Sequence, residues 1–423
     1  MSCVAAAVAA FLCVAPIASA DRLVSVGYRT PAALHDLRVI SRLTALRTVE
    51  VRVAGPGAER ELRSRAGIRF VQRVLPRCDM GAPSVPFSTA LTVPEWQWTA
   101  AHADLVPTWV HEAARAITIA VIDTGADVLA PSLAAKSPVT WNIVNAGTDV
   151  HDAVGHGTFV ASLAGGGISD PASMSGFGGE ARLLIVQANR GGTGFSDIDE
   201  ANAIVYAVNH SANIINLSRG GAQTSVIERD AIDYATQHGV LLVAAAGNSA
   251  EQGNPIVYPA ALLGRAGLVV GASNAGGSRA SFSTTGRYVD VLAPGVDVLG
   301  ALASGIPTGF FTPAATPGAN GTYGYGTGTS YAAPEAAGAA ALVWAANPRL
   351  DAAGVAATLE GTAASQGVWT KELAFGAIDI ASAVQRAAGG APPTVSQPVA
   401  TVKPTAQKAR RRAVTKKTKH LRP

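Results

Sequence analysis

Cysteine is scarce in this chain, with three in 423 residues. Cys3 and Cys13 lie in the apolar opening segment, and Cys78 stands alone in the sequence that follows. A small domain held together by several disulfides is therefore excluded. Because 48% of the residues are apolar, we expect the folded body to be stabilised by a sizeable packed core, helped by any bound ions.

Long apolar runs are also missing after the opening segment. The best candidate for a membrane span, residues 331–346, contains Pro334 and Glu335, so we expect no transmembrane segment. The opening, MSCVAAAVAAFLCVAPIASA, ends in small residues that suit signal-peptidase cleavage before Asp21. We therefore expect residues 1–20 to be a signal peptide and the protein to be secreted, extracellular or periplasmic. No basic residue stands near the first methionine, so a mis-assigned start or an uncleaved apolar leader stays open.

The formal charge of +4 conceals three unequal parts of the chain. Residues 21–79 hold 12 basic and 6 acidic residues, residues 80–390 hold 12 and 23, and residues 391–423 hold 9 and none. A basic N-terminal segment can dock on an acidic body, whereas that body repels nucleic acid. The last segment mixes Pro and Thr with cations and offers little to bury, so we expect a disordered basic tail. This tail either contacts an anionic cell-surface polymer or is only solvated.

Five short, nearly continuous apolar runs alternate with helical patterns. They are TIAVID (118–123), RLLIVQA (182–188), NIINLS (213–218), VLLVAAAG (240–247) and LVVGAS (268–273). Such runs are typical of strands buried on both faces by crossover helices. SDIDEANAIVYAVNH and SVIERDAIDYATQHG predict two of those helices, the second ending at Gly239. The pattern predicts an α/β fold with a three-layer parallel sheet, whose chemistry sits where strands end.

Residues 21–79 have a different pattern. RLVSVGY, TVEVRV and IRFVQRV predict strands, and the two runs between them predict helices. We expect a small α+β unit that precedes a larger domain at residues 80–390.

Four polar residues lie at positions where catalytic residues of such a sheet are usually found, at strand ends and helix starts. Asp123 ends the first strand run, His156 opens a helical run between two glycines, Asn248 follows the fourth strand run, and Ser330 opens an Ala-rich helix. Each has an ordinary explanation by itself: a turn or cap for Asp123 and Asn248, a structural histidine, and a helix cap for Ser330. Together they supply an acid, a base, an oxyanion donor and a nucleophile.

The strings around these residues resemble the motifs of the subtilisin-like serine proteases, the subtilases of peptidase family S8. AVIDTG resembles the aspartate motif, GHGTFVAS the histidine motif, AAAGNS the oxyanion motif and GTSYAAP the serine motif. RASFSTTG and VLAPGV also resemble segments that this family carries between the last two motifs. The resemblance runs from about Trp96 to about Ala387, and the order Asp, His, Ser is the one known for the family.

The resemblance implies a role for each residue. Ser330 attacks the scissile carbonyl, His156 takes its proton and returns it to the leaving amine, and Asp123 holds the imidazole. Asn248 and the backbone N–H of Ser330 receive the oxyanion. No cofactor is implied for catalysis.

The same resemblance implies that an extended substrate peptide is added as a strand between two backbone segments. Their equivalents are Gly192-Thr193-Gly194 and Ser218-Arg219-Gly220, although glycine-rich segments also fit simple turns. Arg219 stands where the family commonly has Leu, so we expect a charged cleft wall that prefers acidic or polar residues. Val257 replaces a glycine of the best-known members and would shorten the primary pocket, which predicts small residues at the cleaved position. Phe159 replaces a common His and removes no catalytic group.

Residues 21–79 resemble the family's N-terminal propeptide, which assists folding and blocks the cleft until it is removed. The chain would then be a zymogen, with its own propeptide as inhibitor and its cut in the loop from Pro76 to Pro94. Calcium sites are common in the family, but no tight Asp-rich loop is present, so Asp149 and Asp152 are only weak candidates for a structural calcium.

Two other functions compete with a secreted endopeptidase that acts on proteins or peptides through an acyl-enzyme. The first is a catalytically inactive binding protein with this fold, held at the cell surface by its basic tail; the presence of all four site residues argues against it. The second is an α/β-hydrolase esterase. It is disfavoured because Ser330 lies in GTSYA instead of G-x-S-x-G and follows the histidine in the chain.

Overall fold

The computed structural model describes residues 21–79, 96–167, 174–190, 194–264, 267–306, 311–314, 322–363 and 376–389. The predicted signal peptide, most of the loop expected to hold the cut site, Gly192, Thr193 and the basic tail lie outside these residues. Cys78 is disulfide-bonded in the structure, so the expectation that it stands alone is wrong. That expectation assigned the other two cysteines to a removed leader, and neither of them is among the described residues.

Residues 21–73 form an α+β unit with its own small core of valines and leucines. Its elements are β1 Arg22–Tyr28, β2 Val39–Leu43, β3 Thr48–Val53, α1 Gly55–Ser64 and β4 Ile68–Arg73. The strands form an antiparallel sheet in the order β2-β3-β1-β4. The first of the two predicted helices is wrong: residues 31–34 form only a short 3-10 helix. VISRL then becomes β2 because it pairs with β3 along the edge of the sheet.

The remaining strands belong to three further sheets. They are β5 Pro76–Asp79, β6 Thr118–Asp123, β7 Val139–Asn142, β8 Arg182–Gln187, β9 Gly194–Ser196, β10 Ile214–Leu217, β11 Arg219–Gly220, β12 Leu241–Ala245, β13 Gly267–Ser273, β14 Val291–Pro294, β15 Val298–Ala301, β16 Thr312–Pro313 and β17 Tyr323–Gly326. Seven of them form one parallel sheet in the order β14-β13-β12-β10-β6-β8-β7. All five predicted strand runs lie in this sheet, and β15, β16 and β17 form a small antiparallel sheet.

Helices cover both faces of the parallel sheet. They are α2 Trp96–Ala100, α3 Thr108–Ala113, α4 Pro131–Ala134, α5 His156–Gly165, α6 Asp197–Asn209, α7 Val226–Gln237, α8 Thr329–Ala346, α9 Ala352–Thr362 and α10 Ile380–Ala387. Alternate residues of β6 point to opposite sides: Ile119 and Val121 join a core with α5 and α8, whereas Ala120 and Ile122 join a core with α6 and α7. This is the predicted three-layer α/β fold. Both predicted helices are present as α6 and α7.

Helix α8 runs through the interior, and every residue from Thr329 to Ala345 is buried. It packs against five strands of the sheet and against α5, α9 and α10. Its many alanines bring those neighbours close, which explains why the helix is so poor in large side chains. Within the described residues, no helix combines the length and the apolar character that a membrane span requires.

The strand β5 joins the N-terminal unit to the larger domain. It lies antiparallel between β9 and β11 in a three-stranded sheet. The unit also packs on α6 and α7, where Leu43 and Leu46 enter their apolar core. Arg69 forms an ion pair with Asp230 at 2.7 Å on α7. Residues 21–79 are therefore not an isolated unit, because their last strand belongs to a sheet of the larger domain.

Candidate active site

Asp123 and His156 are in direct contact at the carboxyl edge of the parallel sheet. β6 ends at Asp123, α5 begins at His156, and the imidazole Nδ1 lies 2.8 Å from Oδ1 of the carboxylate. The backbone N–H of Thr124 donates to the same oxygen at 2.7 Å. A methyl group added at Gly157 would overlap the carbonyl oxygen of Gly125. The glycine after His156 therefore lets the start of α5 approach the strand closely.

Asp123 carries its charge in a fully buried position. Burial opposes ionisation most strongly, but the nearby cations of His156 and Arg219 and the hydrogen bonds from His156 and Thr124 outweigh it. These groups hold the pKa of Asp123 well below its usual range. The site therefore keeps a buried carboxylate behind the imidazole.

Ser330 lies in the first turn of α8, and its hydroxyl does not cap that helix. Ser330 Oγ donates to the backbone oxygen of Ser218 at 2.9 Å, and Ser218 Oγ donates to the backbone oxygen of Ser330 at 2.8 Å. Ser218 follows β10, which is the neighbour of β6 in the sheet. The ring of Tyr331, the next residue, lies 5.7 Å from the ring of His156, centre to centre. Ser330 and His156 thus belong to the same edge of the sheet.

Asn248 is held against the start of α8 by its amide oxygen. The backbone N–H and the hydroxyl of Thr329 both donate to Asn248 Oδ1 at 2.9 Å. Thr329 Oγ1 in turn accepts from the backbone N–H of Gly247 at 3.0 Å. This fixes the orientation of the amide, with its NH2 group as the donating end. The donor lies beside Gly328, where an added Cβ would be 3.2 Å from Asn248 Nδ2.

The predicted cleft segments flank β5. Asp79 pairs with Arg219, and Cys78 pairs with Gly220 on one side and with Gly194 on the other. The two backbone segments are therefore bridged by a strand of this same chain, in the antiparallel arrangement expected of a bound peptide.

Two side chains of the predicted specificity set lie inside the protein. The guanidinium of Arg219 is buried, 3.3 Å from Asp123 Oδ1 and 5.0 Å above the centre of the Phe195 ring. Val257 is also buried. Its Cγ2 lies so close to Gly247 that a Cβ added there would be 2.6 Å away. Val257 is thus a neighbour of the residue that precedes Asn248.

Sequence reasoning missed several residues of this region. Thr124 and Thr329 hold Asp123 and Asn248, and their signal was present in the strings AVIDTG and GTSYAAP. Arg77 of β5 forms ion pairs with Glu200 and Glu228, more than 120 positions away in the chain. No local pattern indicates that contact.

The two weak calcium candidates use their carboxylates on the protein itself. Asp152 accepts hydrogen bonds from the backbone N–H groups of Val154, Gly155 and Thr158. Asp149 accepts from the backbone N–H of His151. In the part of the chain that the structure describes, no three His, Cys, Asp or Glu side chains gather as metal ligands.

The family model of the subtilases, Peptidase S8, matches residues 114–387. The chain belongs to the subtilase family. It is 37% identical to a thermophilic serine proteinase of Bacillus sp. (strain AK1) over 228 residues, which are 53% of this chain and 51% of the relative. It is 33% identical to subtilisin E of Bacillus subtilis (strain 168) over 251 residues, 58% of this chain and 60% of the relative.

Thermitase of Thermoactinomyces vulgaris is a third similar subtilase, 32% identical over 247 residues, 58% of this chain and 80% of that protein. The fold is similar to the crystal structure of fervidolysin from Fervidobacterium pennivorans, described as a keratinolytic enzyme related to subtilisin. That comparison has a TM-score of 0.74 at 24% identity and covers 88% of this chain and 62% of the other. The match to the thermophilic proteinase and to subtilisin E spans only about half to three fifths of their length.

Proposed function

We propose that this subtilase is a serine endopeptidase that hydrolyses peptide bonds of proteins through an acyl-enzyme. The observation that carries the proposal is the buried Asp123–His156 contact at the sheet edge to which Ser330 and Asn248 also belong. The family relationship supports the same reaction.

In the first half of the reaction, Ser330 is the nucleophile and His156 the general base. Nδ1–H of His156 donates to Asp123, which fixes the tautomer whose Nε2 can take the Ser330 proton. Oγ then bonds to the scissile carbonyl carbon, and the charge that forms on the carbonyl oxygen is received by Asn248 Nδ2 and the Ser330 N–H. The proton passes from His156 to the leaving amine as the C–N bond breaks.

In the second half, water attacks the acyl-enzyme. His156 takes a proton from the water, the acyl–oxygen bond to Ser330 breaks, and the proton returns to Ser330 Oγ. Asp123 remains ionised throughout and stabilises the imidazolium in both halves. Its buried position, with Arg219 and Thr124 in contact, supports that role.

We also propose that the chain is made as a zymogen whose N-terminal unit occupies the cleft. The docking of β5 between β9 and β11 supports this, because a product-like strand there excludes a substrate strand. Expression of residues 80–423 alone tests the unit's second role, as a folding aid. We expect little active protein without residues 21–79 and recovery when they are added in trans; efficient folding without them would contradict the role as a folding aid.

Export by the opening segment and removal of the N-terminal unit by self-cleavage complete the proposed pathway. The test compares the purified secreted wild type with Ser330→Ala, using labelling by a fluorophosphonate and intact mass. We expect the wild type to be labelled and shortened, and Ser330→Ala to be unlabelled and to retain residues 21–79. Ser281→Ala, at an exposed serine, is the matched control and should behave as wild type. Equal labelling of Ser330→Ala would remove Ser330 as the nucleophile, and an unlabelled wild type would favour the inactive binding protein.

A further inference from the structure

Arg77 of β5 lies with its whole side chain buried against acidic residues of α6 and α7. Its Nε and Nη2 atoms are 2.7 and 2.6 Å from Glu228 Oε1, and Nε is 3.3 Å from Glu200 Oε2. None of these three side chains is exposed to any extent. A third carboxylate, Asp197, adds to the negative charge around the guanidinium. We call the site formed by Asp197, Glu200 and Glu228 the acidic pocket.

The acidic pocket is unusual for its position in the fold. The same faces of α6 and α7 otherwise contribute apolar residues to a core, and buried carboxylates are costly there unless they are paired. Among the described residues, only the Arg77 cation lies within ion-pair distance of the Glu200 side chain, and the carboxyl group of Glu228 lies next to it as a hydrogen-bond partner. Burial, together with the charge of Glu228, raises the pKa of Glu200 well above its usual range even with Arg77 in place. The raised pKa favours the protonated form of Glu200, and the closest contacts of the Arg77 cation are with Glu228.

The backbone around Arg77 has the strand pairing expected of a bound peptide. Arg77 pairs with Phe195 of β9, and its neighbour Cys78 pairs with Gly220 of β11. Gly221 leaves space at the pocket, since a Cβ added there would be 3.0 Å from Arg77 Nη1. A substrate strand that replaces β5 in the same register places one side chain where the Arg77 guanidinium now lies.

We propose that the acidic pocket is a substrate subsite that selects arginine on the acyl side of the cleaved bond. This inference rests on the proposed protease function and names its substrate preference. An arginine can contact Glu228 and Glu200 together through its planar guanidinium, whereas lysine offers a single point charge. A leucine would leave the carboxylates buried without a cation, and a glutamate would add a like charge, so both are disfavoured.

The test uses the secreted wild-type chain and quenched fluorescent peptides that copy residues 71–90, with Ala in place of Cys78. The parent peptide keeps Arg77, and three others carry Arg77→Lys, Arg77→Leu or Arg77→Glu. A control peptide keeps Arg77 and carries Arg73→Leu, because the side chain of Arg73 is exposed and pairs with Glu59 within the N-terminal unit. We expect kcat/KM for the parent peptide to exceed that for the Arg77→Leu peptide by about 30-fold or more, with the lysine peptide between them and the glutamate peptide lowest. The control should be cleaved within about threefold of the parent peptide.

Variants of the full chain provide the second arm. The ratio measured is kcat/KM for the parent peptide divided by kcat/KM for the Arg77→Leu peptide. This ratio should fall toward one in Glu228→Gln and in the double variant that also carries Glu200→Gln. Glu251→Gln, at an exposed glutamate, should keep the wild-type ratio. Substitution of a buried glutamate affects folding. If a variant does not fold, the peptide series measured with the wild-type protein decides whether the subsite selects arginine.

The outcomes separate the inference from the proposed function. A wild type that reacts with a fluorophosphonate but cleaves the parent and Arg77→Leu peptides equally, or cleaves neither, overturns the subsite alone. A wild type that neither reacts nor cleaves overturns the protease function and the subsite with it.

Discussion

Arg219 Nη2 lies 3.3 Å from Oδ1 of Asp123, the same oxygen that His156 Nδ1 contacts at 2.8 Å. Arg219 and His156 therefore share one carboxylate oxygen. Arg219 is fully buried, so its charge is not screened by water and acts directly on the histidine as well as on the aspartate.

The first prediction concerns this shared oxygen. In Arg219→Leu a buried positive charge beside the imidazolium is lost, so the imidazolium forms more easily. The acid limb of the kcat/KM profile should move to higher pH, by about half a unit or more. Arg219→Lys, which keeps the charge, is the control and should move the limb less. A limb that stays in place in Arg219→Leu would show that Arg219 is only structural.

Asn248 supplies the second prediction. Its oxygen accepts from the N–H and the hydroxyl of Thr329, so Asn248→Ala removes the donor to the oxyanion and also leaves these two buried donors without their acceptor. We expect kcat to fall by about a hundredfold or more, which corresponds to about 3 kcal/mol of transition-state stabilisation, with KM close to wild type and the melting temperature lower by a few degrees. Asn145→Ala, at an exposed asparagine, is the control. A tenfold or smaller loss would mean that another group carries the oxyanion.

The third prediction follows from Val257, whose methyls lie beside Gly247 near the reacting centre. Val257→Gly should enlarge the space for the side chain at the cleaved position. We expect kcat/KM for peptides cut after Phe to rise relative to those cut after Ala by about tenfold or more, because a few methyl groups in a pocket discriminate to that extent. Val226→Gly, at an exposed valine, should leave the ratio unchanged. If wild type already prefers Phe to Ala, the pocket assignment fails.

The acidic pocket makes the fourth prediction, which concerns stability and pH. Burial raises the pKa of Asp197 to about 6, against the opposing hydrogen bond from Leu75 and the charge of Arg77. The pKa of this carboxyl group in the unfolded chain is about 3.9. Between about pH 4 and about pH 6, Asp197 is therefore protonated in the folded protein and ionised in the unfolded chain. The stabilisation is therefore complete below about pH 4 and is lost as the pH rises through about 6.

Urea unfolding of the Ser330→Ala chain at pH 4, 5, 6 and 7 measures this effect. The free energy of unfolding should decrease from pH 4 to pH 7, and the decrease should be larger for the chain with Asp197 than for the chain with Asp197→Asn. The difference between the two decreases should be on the order of 2 kcal/mol. Asn keeps an oxygen to accept the N–H of Leu75, and Asp233→Asn, at an exposed position of α7, is the control. Parallel pH curves for Asp197 and Asp197→Asn would contradict the prediction.

The sequence predicted the parts of the fold that depend on local patterns. The apolar runs around Asp123 and Asn248 became strands of one parallel sheet, because strands buried on both faces have few alternatives. The motif order also indicated that Asp123 and His156 belong to one site. Local pattern was insufficient for β2, where pairing with β3 outweighed the helical signal of the preceding residues.

Contacts between distant segments were beyond prediction. Glu200 and Glu228 lie within helical patterns, where a charged residue ordinarily faces water, and Arg77 follows a strand run of another unit. Only the docking of β5 on α6 and α7 brings the three together. Arg219 was expected at the cleft wall from its position between Ser218 and Gly220, but the direction of its side chain, toward Asp123, depends on the packing of Phe195 beneath it.

The most direct test of the account is a crystal structure of the self-processed protein reacted with a peptide boronic acid. We expect a tetrahedral boron bonded to Ser330 Oγ, with one boron-bound oxygen within hydrogen-bond distance of Asn248 Nδ2 and His156 Nε2 within reach of Ser330 Oγ. An unmodified Ser330, or a boron adduct with its oxygens directed away from Asn248 and His156, would contradict it.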